Sequence, residues 1–382
     1  MKFNKIIESL TESNILKFNQ EINQIEDIVK LTIGEPDFNT PEHIKEAAKK
    51  AIDDNLTHYT MSNGIVELRE EAAKYYNEKF DFNYTKEQTI VTVGATEAMN
   101  ATFQAILNPN DVVIIPTPTF PVYMPDVLVN YGQFKLVDTS EDNFIFTGKK
   151  LEEIIKNNPE INFKAVTLVY PNNPTGVTYT KEQLEDLAKV IKKYNLFVVC
   201  DEIYAELVYD KKHYSIANII PENTIVITGL SKSHAMTGWR IGFVFSTNEI
   251  IEQISKTHQF NVTNATSISQ YAALEAVKNG KKDSEVMRNE YKKRRDYLVS
   301  ELTSLGFEIA NPDGAFYVFA KIPQNQNQNS VEFASEIAYN AKVGTIPGAF
   351  FGLGGENYLR ISYATSMQNL EKAIENLKNY LK

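Results

Sequence analysis

Between residues 88 and 246, short runs of β-branched and other apolar residues alternate with longer stretches whose apolar positions recur at helical spacing. That alternation predicts an α/β fold. The clearest predicted strands are Thr89 to Val93, Val112 to Pro116, Ala165 to Tyr170, Leu196 to Cys200, Ile225 to Thr228 and Ile241 to Phe245. Most are apolar throughout, the pattern of strands covered on both faces, so the sheet is expected to be buried and mostly parallel. Helices are predicted over Pro41 to Asn55, Ile65 to Asn77, Thr96 to Leu107, Lys181 to Tyr194 and Asp283 to Leu305. Thr180 with Gln183 three residues later has the form of a capping box. After Leu305 short strands (Phe307 to Ala310, Ala315 to Ala320, Tyr358 to Tyr363) mix with helices at Ser330 to Ala341 and Asn369 to Leu381. This end reads as a smaller α+β domain, with the QNQNQN run at 324–329 as an exposed loop.

Composition narrows the function classes. The 382 residues carry 39 Lys and Arg against 49 Asp and Glu, a formal net charge of −10, which offers no electrostatic footprint for nucleic acid or an anionic membrane. No run reaches the roughly 18 apolar residues of a bilayer span. The start MKFNKIIESL lacks the apolar core of a secretory signal, and the lone Cys200 has no intrachain disulfide partner. A cytoplasmic protein is expected. His43, His58, His213 and His258 show no metal-ligand spacing to one another or to Cys200, so no metal is expected.

Candidate chemistry gathers where predicted strands end. In TGLSKSHAMTGWRIG (228–242) Lys232 follows an apolar strand, and Arg240 follows eight residues later. A lysine at the end of a buried strand is partly desolvated, which makes its neutral amine available to a carbonyl. A guanidinium close by suits a phosphate dianion. Asp201 and Tyr204 follow the strand at 196–200, and an acid there needs a partner, for which a cationic heterocycle nitrogen would serve. The strand must end near Asp201 for both side chains to address one ligand, because an offset of three reverses the pleat. In YPNNPTG (170–176) Asn173 offers a neutral amide. In TVGATEAMN (92–100) the backbone amides of Ala95 and Thr96 open a helix and form an anion site. FGLGGE at 351–356 lacks the strand and helix that a dinucleotide-binding glycine motif requires.

Taken together, the chain resembles a class I aminotransferase of the pyridoxal phosphate fold type I group. The motifs GEPDF (34–38), HYT followed by NG (58–64), GATEA (94–98), PTFPVY (118–123), NNPTG (172–176), DEIY (201–204), SKSHAMTGWRIGF (231–243) and YLRISYA (358–364) occur in family order. The resemblance is greatest to the branch holding aromatic amino acid and N-acetyl-diaminopimelate aminotransferases. It implies a mostly parallel seven-stranded sheet between helices, with residues 1–45 as an arm and part of the small domain, 46–285 as the large cofactor-binding domain and 286–382 as the small domain.

The resemblance also assigns roles. Lys232 would be the Schiff-base lysine of pyridoxal 5'-phosphate, Asp201 the partner of the ring nitrogen, and Asn173 and Tyr204 the partners of the ring's phenolic oxygen. Phe120, with Tyr123 as second choice, would stack on the ring. Ala95, Thr96, Ser231 and Arg240 would hold the phosphate, with Tyr59 reaching it from the other subunit of a homodimer. Some relatives place the Ser231 hydroxyl two residues earlier, where this chain has Gly229. Arg360 would clamp the substrate α-carboxylate, with the Gly34 backbone beside it. Trp239 reads as packing and His234 as having no direct role. The implied reaction passes an amino group from an amino acid, aromatic by preference, to a 2-oxo acid. N-acetyl-diaminopimelate as donor and carbon-sulfur β-lyase chemistry are the alternatives.

Overall fold

The computed structural model describes residues 2–382. Its centre is a seven-stranded sheet built from β2 (Thr89–Thr92), β3 (Val112–Thr117), β4 (Gln133–Asp138), β5 (Phe163–Val169), β6 (Phe197–Asp201), β7 (Thr224–Gly229) and β8 (Gly242–Phe245). They lie in the order β2-β8-β7-β6-β5-β3-β4. All run parallel except β8, which is antiparallel to both β2 and β7.

Alternate residues of each strand feed different cores. Val198 and Cys200 of β6 and Ile114 of β3 enter one cluster, whereas Val199, Val113 and Ile115 enter another on the opposite face. A strand that must satisfy two cores cannot alternate polar with apolar, which is why these segments read as unbroken apolar runs. Burying each Val, Ile or Leu contributes about 1.5–3 kcal/mol, so truncating Ile114 to Ala should cost about 2–5 kcal/mol.

The other strands are β1 (Val29–Lys30), β9 (Glu308–Ile309), β10 (Tyr317–Lys321), β11 (Val343–Gly344), β12 (Ile346–Pro347) and β13 (Tyr358–Ser362). Four form an antiparallel sheet in the order β12-β13-β10-β9, while β1 pairs in parallel with β11. The long helix Asp283–Ser304 buries Met287, Tyr291, Leu298 and Leu302 along one stripe. From that helix Arg294 donates to both oxygens of Asp37 at 2.9 Å and Tyr291 donates to the same carboxylate at 3.1 Å, which pins the GEPDF segment in place.

Most expected elements stand within two or three residues of their predicted bounds. The helix foreseen from Thr96 starts at Gly94, and the Thr180 capping box forms with both reciprocal bonds. QNQNQN is a loop whose last residue, Asn329, caps the helix Ser330–Ala341. Among the described residues no helix is long and apolar enough to cross a membrane, and no cluster of three His, Cys, Asp or Glu side chains is placed to hold a metal ion.

Candidate active site

The topology brings the singled-out segments to one edge of the large sheet. Gly94 follows β2, Phe120 follows β3, Asn173 follows β5, Asp201 ends β6, and Ser231 and Lys232 follow β7. Since β8 runs the other way, Arg240 just before its start reaches the same edge. The carboxyl ends of parallel strands are where α/β sheets open crevices for ligands. A cavity of about 600 Å³ opens there, lined among others by Ala95, Thr96, Phe120, Asn173, Asp201 and Tyr204. Gly34, Ser231, Lys232, Arg240 and Arg360 line it too.

At the centre, Asp201 accepts from the Tyr123 hydroxyl at 2.7 Å and from the Ile203 amide at 3.1 Å. Burial raises its carboxyl above the usual carboxylate range, while these donors and Lys232 pull it back. The Lys232 amine is pushed down to about 8 by burial, with Glu35 and Asp201 opposing the shift and Arg240 and Arg360 reinforcing it. Its Nζ donates to the Gly34 carbonyl at 2.6 Å. β6 ends at Asp201, so the bend required of Asp201 and Tyr204 is present.

One end of the cavity is built for an anion. Gly94 at φ +75° opens the helix Gly94–Ile106, and a Cβ there would lie 2.5 Å from Arg240 Nη2. Only glycine lets the guanidinium close against the first helical turn, which carries the Ala95 and Thr96 amides. Arg240 itself sits at φ +53°, a left-handed conformation, and is fixed by donating from Nη1 to the Thr237 carbonyl at 3.0 Å. Gly229 faces the Ile241 carbonyl so closely that a Cβ would lie 2.8 Å away. A hydroxyl-bearing residue does not fit there, and Ser231 stands on the cavity wall instead.

The other end is built for a carboxylate. Arg360, buried on β13, donates to Asn173 Oδ1 at 3.1 Å and to the Thr32 carbonyl at 2.7 Å, leaving its Nε without a partner. Its guanidinium lies 4.6 Å from the Tyr317 ring centre, and burial lowers its pKa. No carboxylate neutralises it among these contacts, so an anionic ligand would relieve its desolvation. Tyr204 and Tyr317 share a hydrogen bond of 2.8 Å. A Cβ on Gly34 would come within 2.9 Å of the Tyr317 hydroxyl.

The family model for aminotransferase class I and II matches residues 26–377. The chain belongs to that family. This aminotransferase is 46% identical over 370 residues, 97% of its own chain and 93% of the other, to the probable N-acetyl-LL-diaminopimelate aminotransferase of Bacillus subtilis (strain 168). It is 38% identical to aromatic-amino-acid aminotransferase 2 of Thermococcus litoralis, with 98% and 97% of the two chains covered. The solved aspartate aminotransferase of Thermus thermophilus with maleate matches at a TM-score of 0.94 and 36% identity, over 99% of both chains. Enzymes of this family transfer amino groups with pyridoxal phosphate as cofactor.

The residues present fit that cofactor. A buried Asp201 with two short neutral donors suits a protonated ring nitrogen, and the Gly94–Arg240 cradle suits a phosphate dianion. Of the residues assigned to the cofactor or the substrate, the structure assembles all but Tyr59 around one cavity; Tyr59 lies outside it, 88% exposed. Trp239 donates to the Thr40 hydroxyl and His234 is buried against Gly280, neither on the cavity wall. Sequence reasoning missed Tyr317, which lies 113 residues from its partner Tyr204, and it considered Tyr123 only for stacking. The PTFPVY motif was the one signal that could have tied Tyr123 to Asp201.

Proposed function

We propose that this aminotransferase takes its amino group from a donor amino acid and delivers it to a 2-oxo acid such as 2-oxoglutarate in two successive half-reactions. The observation that carries the reading is Lys232: a half-buried amine lowered to about 8 that shares one cavity with Asp201 and Arg360. When bound, pyridoxal phosphate supplies an electrophilic carbonyl and an electron-withdrawing ring. Arg360 binds the substrate α-carboxylate through a planar fork, with Asn173 orienting it and Gly34 leaving room. Lys232 Nζ, brought by its lowered pKa closer to its neutral form than a solvated lysine, takes the α-proton and returns it on the far side of the exchange. Asp201 would keep the ring nitrogen protonated, Tyr204 and Asn173 would serve the phenolic oxygen, and Phe120 would supply an apolar surface for the ring. Ala95, Thr96, Ser231 and Arg240 would hold the phosphate. We assign exposed Tyr59 to the phosphate of the neighbouring subunit, which makes the active unit a homodimer.

Two donor classes are carried forward. The 46% identity to the Bacillus subtilis relative favours N-acetyl-LL-diaminopimelate; the Thermococcus litoralis relative favours an aromatic amino acid. A donor panel on the holoenzyme tests both: the true donor bleaches the bound cofactor's absorbance and, with 2-oxoglutarate, yields glutamate. Failure of every amino acid to do so would sink the proposal.

A further inference from the structure

Lys30, Lys232, Arg240 and Arg360 are the cations lining the cavity. The last three have cofactor or α-carboxylate partners in the proposed function; Lys30 has none. It sits on β1 with its Nζ donating to Asn23 Oδ1 at 2.9 Å, and it joins no salt bridge among the described residues. Asn23 caps the C-terminal end of the helix Asn14–Ile22, and Asn19 from the same helix also lines the cavity. Apolar wall accompanies this polar end: Ile15, Leu16 and Ile33, of which Leu16 is 63% and Ile33 44% exposed. Leaving such side chains uncovered is unfavourable, and a ligand's methylene chain would cover them.

We propose that Lys30, with the amides of Asn23 and Asn19, forms a distal subsite for a second carboxylate. It would select an elongated diacid donor whose methylenes lie on Ile15, Leu16 and Ile33 while Arg360 holds the α-carboxylate. The asparagine amides both donate and accept, which suits an acylamino group beside that carboxylate. An N-acyl diamino diacid meets every one of these features, whereas a phenyl ring leaves the lysine unused. The inference rests on the aminotransferase reading and names the substrate class of the same site.

The test uses holoenzyme and two unreactive probes, pimelate with a carboxylate at each end and heptanoate with one, measured by equilibrium titration. Pimelate should bind about tenfold more tightly than heptanoate, the scale of one charge-assisted contact. Lys30→Met should abolish the preference and Lys30→Arg should keep it. In single half-reactions, the kcat/KM for N-acetyl-LL-diaminopimelate relative to phenylalanine should fall about tenfold in Lys30→Met. A pimelate preference that survives Lys30→Met, or none in the unaltered enzyme, overturns the subsite. If phenylalanine still bleaches the cofactor in that case, transamination stands and the subsite alone is lost. No reaction with any amino donor would instead remove the underlying function.

Discussion

The Tyr123 hydroxyl donates to Asp201 Oδ2 at 2.7 Å, and both groups are buried. Removing that donor leaves burial, already the largest influence on the carboxyl, less opposed. Tyr123→Phe should therefore raise the Asp201 pKa further, so that the carboxyl competes with the ring nitrogen for the proton it is there to stabilise. A kcat loss of about tenfold is expected from one hydrogen bond to a charged group. Steady-state kinetics beside a circular dichroism spectrum check it; an unchanged kcat would show the hydroxyl to be only packing.

Lys232 provides a pH prediction. Its amine is lowered from 10.5 to about 8, so between those values the unfolded chain holds a proton on this lysine that the folded apoprotein lacks. Stability of the apoprotein therefore gains from this group as pH rises across that window. The rate of cofactor capture by apoprotein should climb through about pH 8 and then level off. A rate still climbing towards 10.5 would show a fully solvated amine. Lys232→Ala should fold and give no turnover.

Arg360 makes two bonds through its guanidinium fork, to Asn173 and Thr32. Arg360→Lys keeps the charge and loses that geometry. We expect kcat/KM to fall by about a hundredfold for every amino acid donor, the scale of losing bidentate recognition. Melting temperature should fall only modestly, because the buried charge and its desolvation cost are kept and only hydrogen bonds to the neutral acceptors Asn173 and Thr32 are lost. A fall confined to one donor would place the α-carboxylate elsewhere.

Behind Asp201, buried Glu202 accepts from the Tyr170 hydroxyl and His213 Nε2 at 2.8 Å each and from Ser215 Oγ at 2.5 Å. None of these touches the cavity. Glu202→Gln should cost about 2 kcal/mol of stability, since one amide cannot accept as well as a carboxylate from this many donors. Denaturant unfolding followed by fluorescence measures it. A midpoint equal to that of the unaltered protein would mean the cluster contributes nothing.

What was legible in the sequence was what is local. The largely apolar runs of β3, β5, β6 and β7 announce strands with two buried faces, and Phe120, Asn173, Asp201 and Lys232 sit at or within a few residues of their ends. β4 was not foreseen: as an edge strand paired only with β3, its QFKLVD need not be apolar throughout. The Tyr204–Tyr317 bond was hidden because the two residues meet only when the small antiparallel sheet packs against the large one. Lys30 carries no local signal in the sequence, because only the fold sets it on the same cavity wall as the helix Asn14–Ile22. Exposed Tyr59 reads as an oddity in one chain, and only the motif order gave it a task.

Val29 opposes Val343 where β1 meets β11, and Arg360 reaches back to Thr32. The mouth of the pocket is thus sewn from segments that lie 328 residues apart along the polypeptide. During synthesis the central sheet can form before β11 and β13 have been made, so a nascent chain would stay catalytically silent until those two strands emerge.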